Sequence, residues 1–199
     1  MSHYLYLVRH GEQENAEYGI TDGPLSERGR AQAHAIGARL ARVPFDAAFT
    51  SPLDRAAQTA AIIDTYTQGP PIERSNLLFD CIPSSGEGAP AVYESFFSGV
   101  DEAQIEAGEA QMRDAVATFC ERSRDDRHTL LVTHNFVIGE FVREVLELPS
   151  WRWLTFGTAN AALSVLRLRS TRPSELVLFG DVSHLSLAER TGRSWLPDL

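Results

Sequence analysis

Two short apolar runs, Tyr4–Val8 and Thr129–Val132, each lead within two residues into a histidine, His10 and His134. Runs with no polar alternation are buried on both faces, the pattern of interior strands in a parallel sheet. The chain between and after them carries helical spacing. Strands alternating with helices specify one layered α/β domain. In open sheets of this kind ligands bind beyond the carboxyl ends of the strands. His10 and His134 both occupy such positions, which gives them a reason to meet.

The first run continues as Arg9-His10-Gly11-Glu12. Arg9 offers a guanidinium fork to a phosphate or carboxylate. His10 can act as nucleophile or acid/base near neutral pH. Gly11 lets the backbone turn or lie close to a ligand. Residues 11–25 read as a loop with a turn at Asp22-Gly23-Pro24. Ser26 is an N-cap for a helix to about Val43, with Ala33, Ile36 and Leu40 on one face, and Pro44 stops it. Asp46–Thr50 is a short strand. Ser51-Pro52 then opens a helix over about 52–66, with proline at its favoured first position and serine before it. Arg55 falls in the first turn, beside free N–H groups and the positive end of the helix dipole.

Between Ser75 and Met112 the sequence has no basic residue, while Glu87, Glu94, Asp101, Glu102, Glu106 and Glu109 accumulate. Residues 81–100, with Tyr93, Phe96 and Phe97, read as a cap or lid over a site or, equally, as a solvated acidic connection. A helix over about 101–123 follows, carrying Ile105, Met112, Val116 and Phe119 as its apolar stripe. After His134 comes a helix with Val137, Ile138, Phe141, Val142 and Val145 inside. Segments 160–169 and 175–180 read as strands. Trp151, Trp153 and the apolar 146–156 region read as core packing ahead of a dimer face, and leave the oligomeric state open. A turn-rich tail carries Trp195, tucked back.

Length and charge narrow the classes. The 199 residues fit one domain over 1–199. A net charge of −9 argues against a nucleic-acid partner. No apolar run approaches the roughly 20 residues of a membrane span. A first strand within four residues of Met1 leaves no room for a leader, so a cytoplasmic address is expected. Cys81 and Cys120 have no metal-like spacing and are expected to stay reduced.

Taken together, Arg9-His10-Gly11-Glu12, the Ser51–Ala60 segment with Arg55, Gln58 and Thr59, and Val132-Thr133-His134 resemble the three core motifs of the histidine phosphatase superfamily. That superfamily also holds the cofactor-dependent phosphoglycerate mutases. Pro24–Ala33 is similar to its loop-to-helix segment. The resemblance implies a single three-layer domain, a mostly parallel central sheet with helices on both faces, and a site at the sheet's carboxyl edge. It implies that His10 is transiently phosphorylated, with Arg9, Arg55 and His134 binding the phosphate. Leu77–Pro83 resembles the segment that supplies the proton donor, which places Asp80 in that role, with Glu87 as substitute. Two guanidiniums, a second imidazole and helix N–H groups offset the charge of a phosphate monoester, so neither metal nor cofactor is required.

Where the mutases carry threonine or serine after Glu12 and asparagine three residues beyond it, this chain has Gln13 and Ala16. Asn135 replaces a glycine common in the family, and the insertions that close over a phosphoglycerate are missing. The expected activity is therefore hydrolysis of a small-molecule phosphate ester or a phosphoprotein, releasing inorganic phosphate, at an acid-side pH optimum. Phosphoryl transfer of the mutase type and non-catalytic phospholigand binding are the alternatives.

Overall fold

The computed structural model describes residues 1–16, 22–123 and 125–193. Trp195 lies outside them. The strands are β1 (Ser2–Arg9), β2 (Ala47–Thr50), β3 (Glu73–Arg74), β4 (Arg127–Thr133), β5 (Leu163–Arg169) and β6 (Glu175–Asp181). The longer helices are α1 (Glu27–Leu40), α2 (Asp54–Asp64), α4 (Glu102–Phe119) and α5 (Asn135–Val145), with one short turn, α3 (Glu94–Phe97). The six strands form one sheet in the order β3-β2-β4-β1-β5-β6. Neighbours are parallel from β3 to β1, and the pairs β1–β5 and β5–β6 are antiparallel, so β5 alone is reversed.

The sheet is mostly parallel and covered on both faces, as expected. Leu5, Leu7 and Leu131 point into a core shared with Met112, Phe119 and Phe141 of α4 and α5. Val8, Leu130 and Val132 face the other way, onto Ile36 and Leu40 of α1 and Ile63 of α2. The two-residue period of a strand thus divides the apolar runs between two helical layers. Register then builds the site. Val8 and Thr50 both pair with Val132. His10, Ser51 and His134 therefore leave three adjacent strands at one level.

Two helix starts test the capping argument. Ser26 caps α1, its hydroxyl accepting from Gly29 N at 3.0 Å. Ser51-Pro52 does not open α2 as expected. Leu53 is the N-cap, because Ser51 N still bonds to Val132 O at 2.9 Å and keeps the chain in the sheet. The Ser51 hydroxyl goes to the site instead. The helices end earlier than their apolar spacing suggests, α1 at Leu40 and α4 at Phe119.

In the 81–100 segment, Phe96 meets Phe136 and Trp153 edge-on at centroid distances of 5.8 and 6.0 Å. Tyr93 lies 5.9 Å from Trp151. Trp153 is fully buried, its indole N–H donating to Ser84 Oγ at 2.8 Å. Among the described residues no helix is long and apolar enough to cross a membrane.

Candidate active site

The site begins where β1 ends. Gly11 lies against the first turn of α1 so closely that a Cβ there would sit 2.5 Å from Gly29 O. Its N–H donates to Thr59 Oγ1 of α2 at 2.9 Å. This fixes His10, which is 7% exposed, between the two helices. His10 Nδ1 lies 2.7 Å from Gly11 O, an oxygen that can only accept, so Nδ1 carries the proton. Nε2 is then a lone pair. It accepts from Arg55 Nε at 3.2 Å.

His134, at the end of β4, shows the same logic with the ring nitrogens exchanged. Arg55 Nη2 donates to Nδ1 at 3.1 Å. The proton therefore sits on Nε2 and points at Ser51 Oγ, 2.8 Å away. One guanidinium holds the lone pairs of both imidazoles, whose rings are 5.2 Å apart. Burial and the neighbouring cations Arg9 and Arg55 push His10 well below the ordinary histidine range. Burial, His10 and the same arginines do so for His134. Both rings are neutral at pH 7.

Arg55 also reaches Gln13 Oε1 at 3.3 Å and Asp80 Oδ2 at 3.1 Å. Asp80 follows a short 3₁₀ turn, Asn76–Leu78, and keeps 41% of its side-chain surface exposed. Its carboxyl stands 3.9 Å from His134 Nδ1. Desolvation outweighs the pull of Arg55 and Arg9 and raises its pKa above the ordinary carboxylate value. The Gln111 amide of α4 holds this segment, donating to Phe79 O at 2.8 Å and Leu77 O at 3.3 Å.

Arg9 is oriented by backbone. Nη1 donates to Thr158 O and to Gly192 O. Its Nε is buried with no partner among the described residues. Burial lowers its pKa to about 10, so it stays charged at neutral pH. Asn135 secures the Thr158 loop, its Oδ1 accepting from Thr158 N at 2.7 Å. A cavity of about 740 Å³ opens over Arg9, His10, Arg55 and Asp80.

Sequence reasoning thus selected five side chains, Arg9, His10, Arg55, Asp80 and His134, that the fold brings to one cluster. Glu87 is different: it is exposed and lines neither this cavity nor the one beside it. Ser51, Thr59, Gln111 and Asn160 were missed as site residues. Asn160 donates to His10 O at 3.2 Å from 150 positions away, a contact no local pattern announces. Burial pushes the Cys81 and Cys120 thiols up to about 12, so neither offers a thiolate. Among the described residues no group of three or more His, Cys, Asp or Glu is arranged to hold a metal ion.

Comparison with known proteins follows this geometry. A family model described as histidine phosphatase superfamily (branch 1) matches residues 5–79 and 87–181. The serine/threonine-protein phosphatase Pgam5, mitochondrial, of Drosophila persimilis is 29% identical over 201 residues, covering 96% of this chain and 67% of its own. The probable phosphoglycerate mutase GpmB of Salmonella choleraesuis is 30% identical over 204 residues, covering 91% of this chain and 94% of its own. Among solved structures, Bacillus stearothermophilus YhfR superposes with a TM-score of 0.73 at 24% identity, covering 92% of this chain and 98% of that one.

Proposed function

The chain belongs to the histidine phosphatase superfamily, and from that membership and the geometry of the cluster we propose that it hydrolyses phosphate monoesters through a phosphohistidine on His10. The observation that carries this reading is the pair of atoms held by Arg55: the unprotonated His10 Nε2 at 3.2 Å and Asp80 Oδ2 at 3.1 Å. A nucleophile and a carboxyl of raised pKa share one guanidinium. That is the separation of base and acid character that group transfer needs.

A substrate phosphate enters beside Arg9 and Arg55, whose charges balance its own. Arg55 turns its donors from the imidazoles to the phosphoryl oxygens, which frees Nε2. The Nε2 lone pair forms the P–N bond as the P–O ester bond breaks, and Asp80 gives its proton to the departing alkoxide. Water then attacks the phosphohistidine, Asp80 takes a proton from it, the P–N bond breaks and inorganic phosphate leaves. His134 holds an equatorial oxygen after taking up a proton from the bound monoanion. No metal takes part in either step. Of the 81–100 segment, Cys81 and Ile82 border the cavity beside Asp80, and Phe96 and Phe97 pack on Phe136 and Trp153.

The pH dependence follows from the shifts. Activity falls on the acid side as His10 protonates, well below the ordinary histidine value, and on the basic side as Asp80 loses its proton. The optimum lies on the acid side of neutral.

Phosphate release from p-nitrophenyl phosphate in EDTA, across pH and with His10→Ala alongside, tests the proposal. Metal-independent turnover that disappears in the variant is the expected result. A flat profile from pH 5 to 8 would contradict the role of Asp80. Isomerisation of 3-phosphoglycerate without phosphate release would replace hydrolysis by mutase chemistry.

A further inference from the structure

A second cavity, of about 620 Å³, adjoins the first and shares only Arg55 and Asp80 with it. Leu53, Phe79, Ile82 and Phe136 form its apolar walls, with Ala107 and Gly108 of α4 completing them. We propose that this cavity receives the alcohol part of the ester, and that the substrate class is a monophosphate of a small, uncharged, apolar or aromatic alcohol with no second anionic group. The inference rests on the phosphatase reading above and narrows it.

Continuity is the first argument. If the phosphoryl group sits between His10 and Arg55 and Asp80 protonates the leaving oxygen, the carbon on that oxygen lies beyond Asp80. Asp80 also borders the phosphate cavity and a smaller one of about 270 Å³, but both of these have Arg9 and His10 on their walls, whereas this cavity leads away from them. Its volume is in the range of pockets that enclose a small organic ligand.

Charge is the second argument. Arg55 is the only cation among the described residues on the wall, and His10, His134, Gln13 and Asp80 already engage it. The other charged groups there are the carboxylates of Asp22 and Asp80. Of the two amides, Gln111 spends its Nε2 on the carbonyls of Leu77 and Phe79. The stretch from Ser75 to Met112, which supplies most of the wall, contains no Lys, Arg or His. A carboxylate or second phosphate on the leaving group would meet carboxylates and hydrocarbon, with its desolvation uncompensated. An apolar group gains from burial, and a site of this kind discriminates by tenfold or more per group accommodated.

The aromatic side chains of the 81–100 segment take no part in this. Phe96 and Phe97 are spent on Trp153.

The test compares benzyl phosphate with 3-phosphoglycerate, both esters of primary alcohols, so that leaving-group acidity does not decide the outcome. The intact protein is expected to show a kcat/KM at least tenfold higher for benzyl phosphate. Ala107→Arg, at an exposed position of α4, places a cation on the wall and should shrink that ratio at least tenfold. Gln104→Arg, also exposed, gives an independent second reading. Equal turnover of both esters by the intact protein, or a ratio unmoved in both arginine variants, overturns the pocket assignment. The His10→Ala control separates the two levels. His10-dependent hydrolysis without selectivity removes only the inference about the alcohol, while hydrolysis that survives His10→Ala removes the phosphohistidine reading with it.

Discussion

Replacing Asp80 by asparagine removes the proton donor while keeping shape and one hydrogen-bond acceptor. The structure makes two opposite effects visible. Asp80 Oδ2 occupies Arg55 Nη2 at 3.1 Å, so the carboxyl competes with an incoming phosphate for the same donor. Its removal should lower KM. The chemical step should slow, because the departing alkoxide then leaves without a proton. A positioned general acid is worth roughly 10²–10⁴-fold, about 2.7–5.4 kcal/mol of barrier at 1.36 kcal/mol per decade. The loss depends on what leaves. Benzyl alkoxide needs the proton and should show the full drop in kcat. p-Nitrophenolate needs little help, so its kcat/KM and its rate of phosphoenzyme formation should fall less than about tenfold, while hydrolysis of the phosphoenzyme, where Asp80 is the base, slows alike for both esters. Steady-state kinetics on the two esters, with rapid-quench measurement of phosphate bound to the protein, read both effects. The basic limb of the pH profile, assigned to the raised pKa of Asp80, should vanish in the variant. A kcat/KM and a rate of phosphoenzyme formation that fall by the same factor for both esters would refute the acid assignment, since only that step depends on which group leaves.

Other outcomes follow from the same contacts. His10→Gln should abolish turnover and also change the acid stability. His10 is neutral when folded and titrates at the ordinary histidine value of about 6.5 when unfolded, so the unfolded chain binds the extra proton and stability falls as pH drops below that value. The loss removed by the variant is at most about 1.4 kcal/mol at one unit below it; thermal melts of both proteins at pH 7.5 and 5.5 that fall in parallel would count against a neutral buried His10. Gln111→Leu frees the Leu77–Phe79 carbonyls that carry Asp80, so it should reproduce the ester-dependent loss in weaker form, about tenfold on benzyl phosphate; an equal loss on both esters would mark Gln111 as structural only. Ser51→Ala leaves the buried His134 Nε2–H without its acceptor, which should cost about 1–3 kcal/mol and lower the Tm by roughly 2–12 °C for a chain of this size, and an unchanged Tm would mean that the contact contributes nothing.

The parts of this molecule that are legible in its sequence are those with a local signal. The runs ending in His10 and His134 revealed two central strands because burial on both faces leaves no polar alternation. Ser26 was legible as a cap because its partner, Gly29, is three residues away. Ser51 was not. A serine before a proline has the same local pattern whether it caps a helix or crosses to another strand, and only the pairing of Ser51 N with Val132 O decides it. Asp80 was found through the family pattern of its segment, whereas the Gln111 amide that holds Leu77 and Phe79 comes from 34 and 32 positions away and has no local signal. Tyr93, Phe96 and Phe97 illustrate the converse limit. Aromatic residues in an acidic loop could line a site or pack away from it. Trp153, whose indole is tied to Ser84, draws Phe96 and Phe97 into packing.

The way Arg9 and Arg55 are satisfied leads to a last prediction. A buried guanidinium must be hydrogen-bonded, and carboxylates would be the strongest partners. Here most partners are neutral: the carbonyls of Thr158 and Gly192 for Arg9, and two imidazole nitrogens and an amide for Arg55, whose carboxylate contacts among the described residues are the partly exposed Asp80 at 3.1 Å and Asp22 at 3.6 Å. Full pairing with carboxylates would cancel the field that a phosphate needs, and substrate would have to displace an anion to bind. Neutral acceptors satisfy the donors and leave the positive charge in place. The folded protein without ligand therefore carries a positive charge that Asp22 and Asp80 relieve only in part and that an anion can compensate, so inorganic phosphate should stabilise it. At one hundred times its Kd, phosphate should add about 2.7 kcal/mol, a rise in Tm of roughly 5–11 °C for a chain of this length. Arg55→Met should lose most of that rise, measured from its own phosphate-free Tm. The same rise in the variant as in the intact protein would locate the bound phosphate elsewhere, and a lack of any rise in the intact protein would mean that the field of the two arginines is already spent.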